Sequence, residues 1–421
     1  MYLEYGTLLT IITLYSFYLK KNKQSNLIIS LFLLIIFSKL FFIYLEYINL
    51  YINHFTIRDE STFIEETKKM SKNSGLNIFL ISPGDYFLYY ILNLFYTLFK
   101  TDISIKLVPV IFSIITFHYS YKLAKILQFK EIYIFFLILL IFFWPSSFLF
   151  NYSATKEFLQ TTFLICTVYY SFRLFTKINI FILLKYLIFL LLFSYSHRGF
   201  EIIAVVHTAA LLSLITLSKI KFNFTNLLYL VFISSVSIIF IFTILIFFGS
   251  LDNFTQKIIS PDFIEWYNNQ RVSNVESSNT YRITIESLSL KSIILLFLKT
   301  SFYYFFYLPN ISNYFYIYYF FEITLTYIFI IITFLVLLLR NYFKIKLPCF
   351  NVYKVLLLIT LYLIINFGFA FFNANIGNAI RHKSVSFFII FLMFSFFYVL
   401  IEELISKFSI KKLNHNYNQR G

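Results

Sequence analysis

Apolar stretches near the length of a bilayer crossing recur from one end of this chain to the other, and they decide its architecture before any motif is read. They fall at about 5–19, 27–48, 85–99, 107–121, 132–150, 158–172, 178–195, 202–217, 227–249, 292–308, 314–339, 355–373 and 386–401. A bilayer core needs roughly 20 apolar residues in a helix. In lipid every backbone N–H and C=O must be satisfied internally, which leaves helices or closed barrels. A barrel would show roughly ten-residue segments of alternating polarity, and these runs are continuous. With 60% hydrophobic and 13% charged residues, the composition is far from that of a soluble domain. The expected fold is an all-α integral membrane bundle of about 11–13 transmembrane segments. It forms a single domain over 1–421, since the longest polar interval, 251–291, holds only about 40 residues, near the lower limit of what folds alone.

The formal charge of +16 would point to nucleic acid in a soluble protein. Here lysine and arginine cluster in short loops, as cytoplasmic loops of membrane proteins do, so no nucleic-acid partner is expected. The run Lys20-Lys21-Asn22-Lys23 places the first loop in the cytoplasm and the N-terminus outside. The run 5–19 lacks a basic leader and reads as a retained span. The loop 49–84 is then external. Lys407, Lys411 and Lys412 place the tail 407–421 inside, which makes 373–386, with Arg381, His382 and Lys383, an external basic loop. The basic loops 218–226 and 340–354 both belong to the cytoplasm, yet three apolar runs separate them. The weakest, 292–308, contains Lys299 and is expected to be re-entrant, leaving 251–291 outside. Cys166 lies in a span and Cys349 in a basic loop, a placement that makes neither a disulfide nor a metal site.

Chemistry is sought where polar residues interrupt this pattern. Asp59 and Glu60 open the first external loop, and Phe63, Ile64 and Met70 alternate with charges behind them as in an amphipathic helix lying on the membrane. Two readings fit the acids. They complement the N-terminus of that helix, or one of them is a general base that takes a proton from an acceptor hydroxyl. The clusters Arg381-His382-Lys383 and His197-Arg198, with Arg271 and Arg282 in the long loop, are cations able to hold a phosphate. Anchoring among lipid headgroups or a plain topology signal explains them equally well. No Walker-type glycine loop, Ser-His-Asp order or paired-histidine metal spacing occurs.

A longer pattern follows the acids. Ser82-Pro83-Gly84-Asp85-Tyr86-Phe87-Leu88-Tyr89-Tyr90 leads to Leu98-Phe99-Lys100-Thr101-Asp102 and Ile105-Lys106-Leu107-Val108-Pro109. Then come Ala124-Lys125-Ile126-Leu127, Trp144-Pro145-Ser146-Ser147 and Tyr152-Ser153-Ala154-Thr155-Lys156-Glu157. Over residues 45 to 175 this order resembles the polytopic glycosyltransferases of the GT-C fold, in particular the dolichyl-phosphate-mannose protein mannosyltransferase and aminoarabinose-transferase-like families. The resemblance implies a polyprenyl-phosphate-linked sugar donor, a glycan or lipid acceptor and an active site built from external loops. It implies Asp59 as catalytic carboxylate, Glu157 as a second functional acid, and Asp85 and Lys106 near the donor phosphate. It also implies a bacterial cytoplasmic (inner) membrane. No cofactor is required by the sequence, and a divalent cation near Asp59 is compatible with it. The sequence departs from that pattern at Lys100, where the turn usually holds glycine, and at Lys106, where the basic residue is usually arginine. An O-antigen or exopolysaccharide polymerase fits the external arginines as well. A lipid-linked-sugar flippase or transporter would show paired charges buried mid-span and repeat symmetry, of which the sequence offers only scattered Lys39, Lys185 and Glu322.

Overall fold

A computed structural model describes residues 2–47, 58–73, 85–196, 201–219, 290–306, 352–372 and 376–418, together with Glu265, Asn268, Phe320, 322–328 and Ile331. Among them the structure is all helical. In chain order the helices are α1 (Tyr2–Lys21), α2 (Asn26–Tyr47), α3 (Arg58–Asn73), α4 (Asp85–Phe99), α5 (Asp102–Ile126), α6 (Glu131–Phe143) and α7 (Pro145–Tyr152). They continue with α8 (Lys156–Thr176), α9 (Ile180–Tyr195), α10 (Glu201–Lys219), α11 (Leu290–Phe306), α12 (Val352–Phe372) and α13 (Ile376–Asn418). Four helical stretches among the described residues are long and apolar enough to cross a membrane: Asn26–Tyr47, Asp102–Ile126, Tyr353–Ala370 and Arg381–Ser406. A fifth arises if α6 and α7 together make one bent span. Large apolar side chains such as Phe17, Phe37, Phe41, Phe181 and Ile188 stand exposed on the outer faces of α1, α2 and α9. In water so much exposed apolar surface would drive association; lipid is the solvent it fits. This is a membrane protein.

The core is built on α5, α8 and α9. Helices α5 and α8 run parallel, in register through Phe112 with Phe158, Thr116 with Thr162 at 2.7 Å, and Tyr119 with Tyr170. Helix α2 runs antiparallel to α5, pairing Glu46 with Lys106, Lys39 with Ser113 and Phe32 with Phe117. Helix α13 lies antiparallel to α6, with Tyr398 and Glu402 on Tyr133 near the start of α6 and Phe387 and Phe391 on Trp144 at its end. One end of the bundle therefore collects the C-terminus of α2, the N-termini of α5 and α8, and the first turns of α13.

Several expectations change. The run 132–150 is not one straight helix: α6 and α7 meet at a 63° bend. Pro145 has no N–H to donate back into α6, so the helix stops at Phe143 and restarts with proline in its first turn. The segment 373–386, expected as an external basic loop, is helix from Ile376 on, where α13 begins and carries Arg381, His382 and Lys383 inward, all buried. The turn after α4 sits at Lys100 with φ 56, the left-handed region that glycine fills most easily. The lysine adopts the backbone of a helix C-terminal cap, its N–H donating to the Tyr96 carbonyl at 2.6 Å. The runs 227–249 and 314–339 and the long loop 251–291 lie outside the described residues, apart from Glu265, Asn268, Leu290, Lys291, Phe320, 322–328 and Ile331.

Candidate functional site

The buried turn Ser153-Ala154-Thr155, between α7 and α8, is the floor on which the polar groups gather. Its backbone leaves helical geometry at Ser153 and Thr155; the Thr155 N–H donates to the Ser153 carbonyl at 2.8 Å, and the amide between them finds its acceptor on another helix. The Ala154 N–H donates to Glu60 Oε1 at 2.8 Å. This bond draws α3 into the bundle. Glu60, Phe63 and Thr67 make its buried stripe, at the i, i+3, i+7 spacing of one helix face. That face turns to protein: Phe63 packs on Tyr89 of α4 and lies 5.9 Å from the Arg381 guanidinium. Burial pushes the Glu60 carboxyl above the usual carboxylate range, with the charge of Lys106 pulling down, Glu46 pushing up and the Ala154 N–H again opposing.

One turn beyond Ala154, Glu157 is fully buried as the second residue of α8. A carboxylate there complements the positive end of the helix. Arg381 Nε donates to Glu157 Oε1 at 2.5 Å. Sequence reading sets these two residues apart, as a second functional acid and a phosphate-binding cation; the fold makes them one ion pair. Lys156 pairs with Asp85, the first residue of α4, at 3.2 Å, and Lys106 pairs with Glu46. Acids of α2, α4 and α8 are thus paired at this end with cations of α5, α8 and α13.

The other expected cations take different positions. His382 stacks on Phe369 with ring centroids 4.2 Å apart, so its ring serves packing between α12 and α13. Lys383 donates to the Tyr304 carbonyl at 2.6 Å and lies over the Tyr304 ring. Asp59 is in the first turn of α3, with its side chain outside the described set; His197, Arg198, Arg271 and Arg282 lie outside the described residues altogether. Among the described residues no group of three or more His, Cys, Asp and Glu comes together that could hold a metal ion.

Two buried charges that sequence reading left as scattered exceptions share one task. Glu322 Oε1 accepts from the Ser146 N–H at 2.9 Å, at the N-terminus of α7. Lys39 Nζ donates to the Asn151 carbonyl at 2.8 Å, at the C-terminus of the same helix, and to Ser113 Oγ at 2.6 Å. A helix leaves N–H groups unsatisfied at its start and carbonyls at its end, with partial positive and negative charge respectively. An acid holds the first end of α7 and a lysine the second. The signal was present in the sequence: a proline in the middle of an apolar run creates two new helix ends, and a lone charge in another span is a candidate to meet one.

Comparison of the chain with protein-family models, with curated proteins and with solved structures finds no match.

Proposed function

We propose that this protein is a membrane glycosyltransferase of the GT-C type, moving a sugar from a polyprenyl-phosphate donor to a cell-surface glycan or lipid on the outer face of a bacterial cytoplasmic membrane. The observation that carries the reading is the bond from Ala154 to Glu60. It anchors the helix that bears the acidic pair beside the Glu157–Arg381 ion pair, where two parts of the resembling pattern and a distant basic cluster come together. In this reading the bundle has about 11–13 crossings, with this end facing outward. Glu60 is the anchor, and Asp59 next to it is the general base. The base takes the proton of an acceptor hydroxyl as that oxygen attacks the anomeric carbon, and the bond from that carbon to the phosphate oxygen breaks. Arg381, Lys106 and Lys156, each paired with an acid of the protein, are the cations this end offers the departing phosphate. A divalent cation at Asp59 is the only cofactor the reading admits.

Asp59→Asn keeps size and removes the base, so transfer from a polyprenyl-phosphate sugar by the purified protein in proteoliposomes should fall about 10²–10⁴-fold. Near-normal transfer by that variant would sink the assignment.

A second reading, a lipid-linked-sugar flippase, draws on the buried Lys39, Lys383 and Glu322 and on the break between α6 and α7, since transporters bind substrate at the ends of broken helices. In this chain both ends of α7 are occupied by Glu322 and Lys39, which weakens that case. The same proteoliposomes separate the two: a flippase moves labelled donor between leaflets with no acceptor present, and leaves the donor intact.

A further inference from the structure

At the end of the core away from the acidic pair, three rings from three helices meet. Tyr170 and Phe189 stack with centroids 5.5 Å apart and planes 10° from parallel, and Tyr119 lies 5.8 Å from each. The hydroxyls of Tyr119 and Tyr170 are 3.1 Å apart. One helical turn further along each helix stands a cation: Lys122 after Tyr119, Arg173 after Tyr170 and Lys185 before Phe189. Because α9 runs antiparallel to α8, all three steps lead the same way. Lys122 lies over the Tyr119 ring at 5.9 Å and within electrostatic reach of both Arg173 and Lys185.

No acid tempers this group from its own helices. The sequence has no Asp or Glu between Asp102 and Glu131, nor between Glu157 and Glu201. Arg173 and Lys185 are exposed and Lys122 is half-buried. Beside them α9 presents Leu184 at 45% and Ile188 at 53% exposure. Mutually repelling cations held on packed helices, over aromatic rings and next to an apolar flank, match a ligand with an anionic head and a hydrocarbon tail. Topology alone asks for positive charge in loops; it does not ask for three cations set in one layer on three helices.

We propose that Lys122, Arg173 and Lys185 form a binding site for the phosphate of an anionic phospholipid, whose acyl chain runs along Leu184 and Ile188 of α9. The site stands apart from the glycosyltransferase reading and does not depend on it. The headgroup phosphate accepts from the guanidinium and the two ammonium groups. The rings Tyr119, Tyr170 and Phe189 support the glycerol region, as aromatic side chains do at membrane interfaces.

The purified full chain in detergent, titrated with phosphatidylglycerol or phosphatidylcholine and read by native mass spectrometry, tests this. Phosphatidylglycerol should bind at least about tenfold more tightly. The triple variant Lys122→Gln, Arg173→Gln, Lys185→Gln should bind it roughly 100-fold more weakly, with phosphatidylcholine binding unchanged. Equal affinity for the two lipids, or undiminished phosphatidylglycerol binding by the triple variant, overturns the proposal. Inorganic phosphate is the competing arm: if millimolar phosphate displaces the lipid, the ligand is the free anion and the lipid assignment fails. Circular dichroism and thermal melting check that the triple variant folds. If it does not, Arg173→Glu alone, at an exposed position, must weaken phosphatidylglycerol binding by at least about tenfold, or the proposal falls.

Discussion

The two ends of this bundle treat positive charge in opposite ways. Where α3 docks, Arg381 is matched by Glu157, Lys156 by Asp85 and Lys106 by Glu46, with Lys39 on a helix-end carbonyl. Where α5, α8 and α9 end their shared packing, Lys122, Arg173 and Lys185 stand together with no acid in their own segments. Burial makes the difference. A charge removed from water is tolerated only beside an opposite charge or a well-aimed dipole; at the rim the same charge keeps its hydration and costs little. Matched charges hold structure together, and a like-charged group is left available to something from outside.

The comparison breaks first at the matched end. Arg381→Ala leaves Glu157 buried without its cation and should cost about 3–5 kcal/mol of stability, read as denaturant midpoint in detergent. The double variant Glu157→Leu, Arg381→Met should recover most of that loss, because an apolar pair needs no partner. If the single variant is as stable as the parent, the pair is not holding α8 to α13. Arg381→Lys should also be worse than His382→Ala, since a guanidinium fork and an ammonium meet a carboxylate differently.

Lys39→Met removes a charge from the bundle but strips the Asn151 carbonyl of its donor. The expected loss is about 1–3 kcal/mol, the cost of a buried acceptor left unsatisfied. Its amide exchange should rise in α7 and the 153–155 turn ahead of the rest of the chain. A uniform rise, or a more stable protein, would show that Lys39 does not hold that end of the helix.

Glu60 sharpens the comparison through pH. Its carboxyl is raised in the folded protein by burial, so the folded state takes up its proton more readily than the unfolded chain. Its contribution is therefore most favourable below the unfolded value of about 4.3. That contribution is lost as pH rises through the higher folded value, and the curve is flat beyond it. Glu60→Gln should flatten this slope in melting temperature against pH between those limits. An unchanged slope would assign the titration to another group.

The smallest effect belongs to the turn at Lys100. With φ 56, glycine relieves a left-handed backbone at the expense of freedom in the unfolded chain. Lys100→Gly should therefore gain no more than about 1 kcal/mol. A loss of stability there would mean that the lysine side chain contributes more than its backbone costs.

What could be read from sequence follows the range of the forces involved. Hydropathy is summed over a contiguous window, so α2, α5, α12 and α13 were legible as apolar runs, and so was the amphipathic character of α3. Glu60 was legible as an acid at a helix start, because an N-terminal dipole acts within one turn. The pairing of Glu157 with Arg381 was not, since nothing local in either segment names its partner. Arg381 itself read as a loop residue because charge interrupts an apolar window, whether the charge is solvated or buried. Trp144-Pro145 was read as a motif and not as a break, and without the break Lys39 and Glu322 had no visible purpose.

The short helix α7 also fixes an order of events during synthesis. Ser146 and its acid, Glu322, are 176 residues apart in the chain, and Glu157 waits for Arg381 across 224. At roughly 5–20 residues per second, the ribosome needs on the order of 10–35 s to supply the acid that closes α7, and longer to supply the arginine. Until then the nascent protein carries an open helix end and an unanswered buried carboxylate. The acidic helix α3 therefore acquires its finished surroundings only once α13 has been made, and any product truncated before α13 is inserted would lack them.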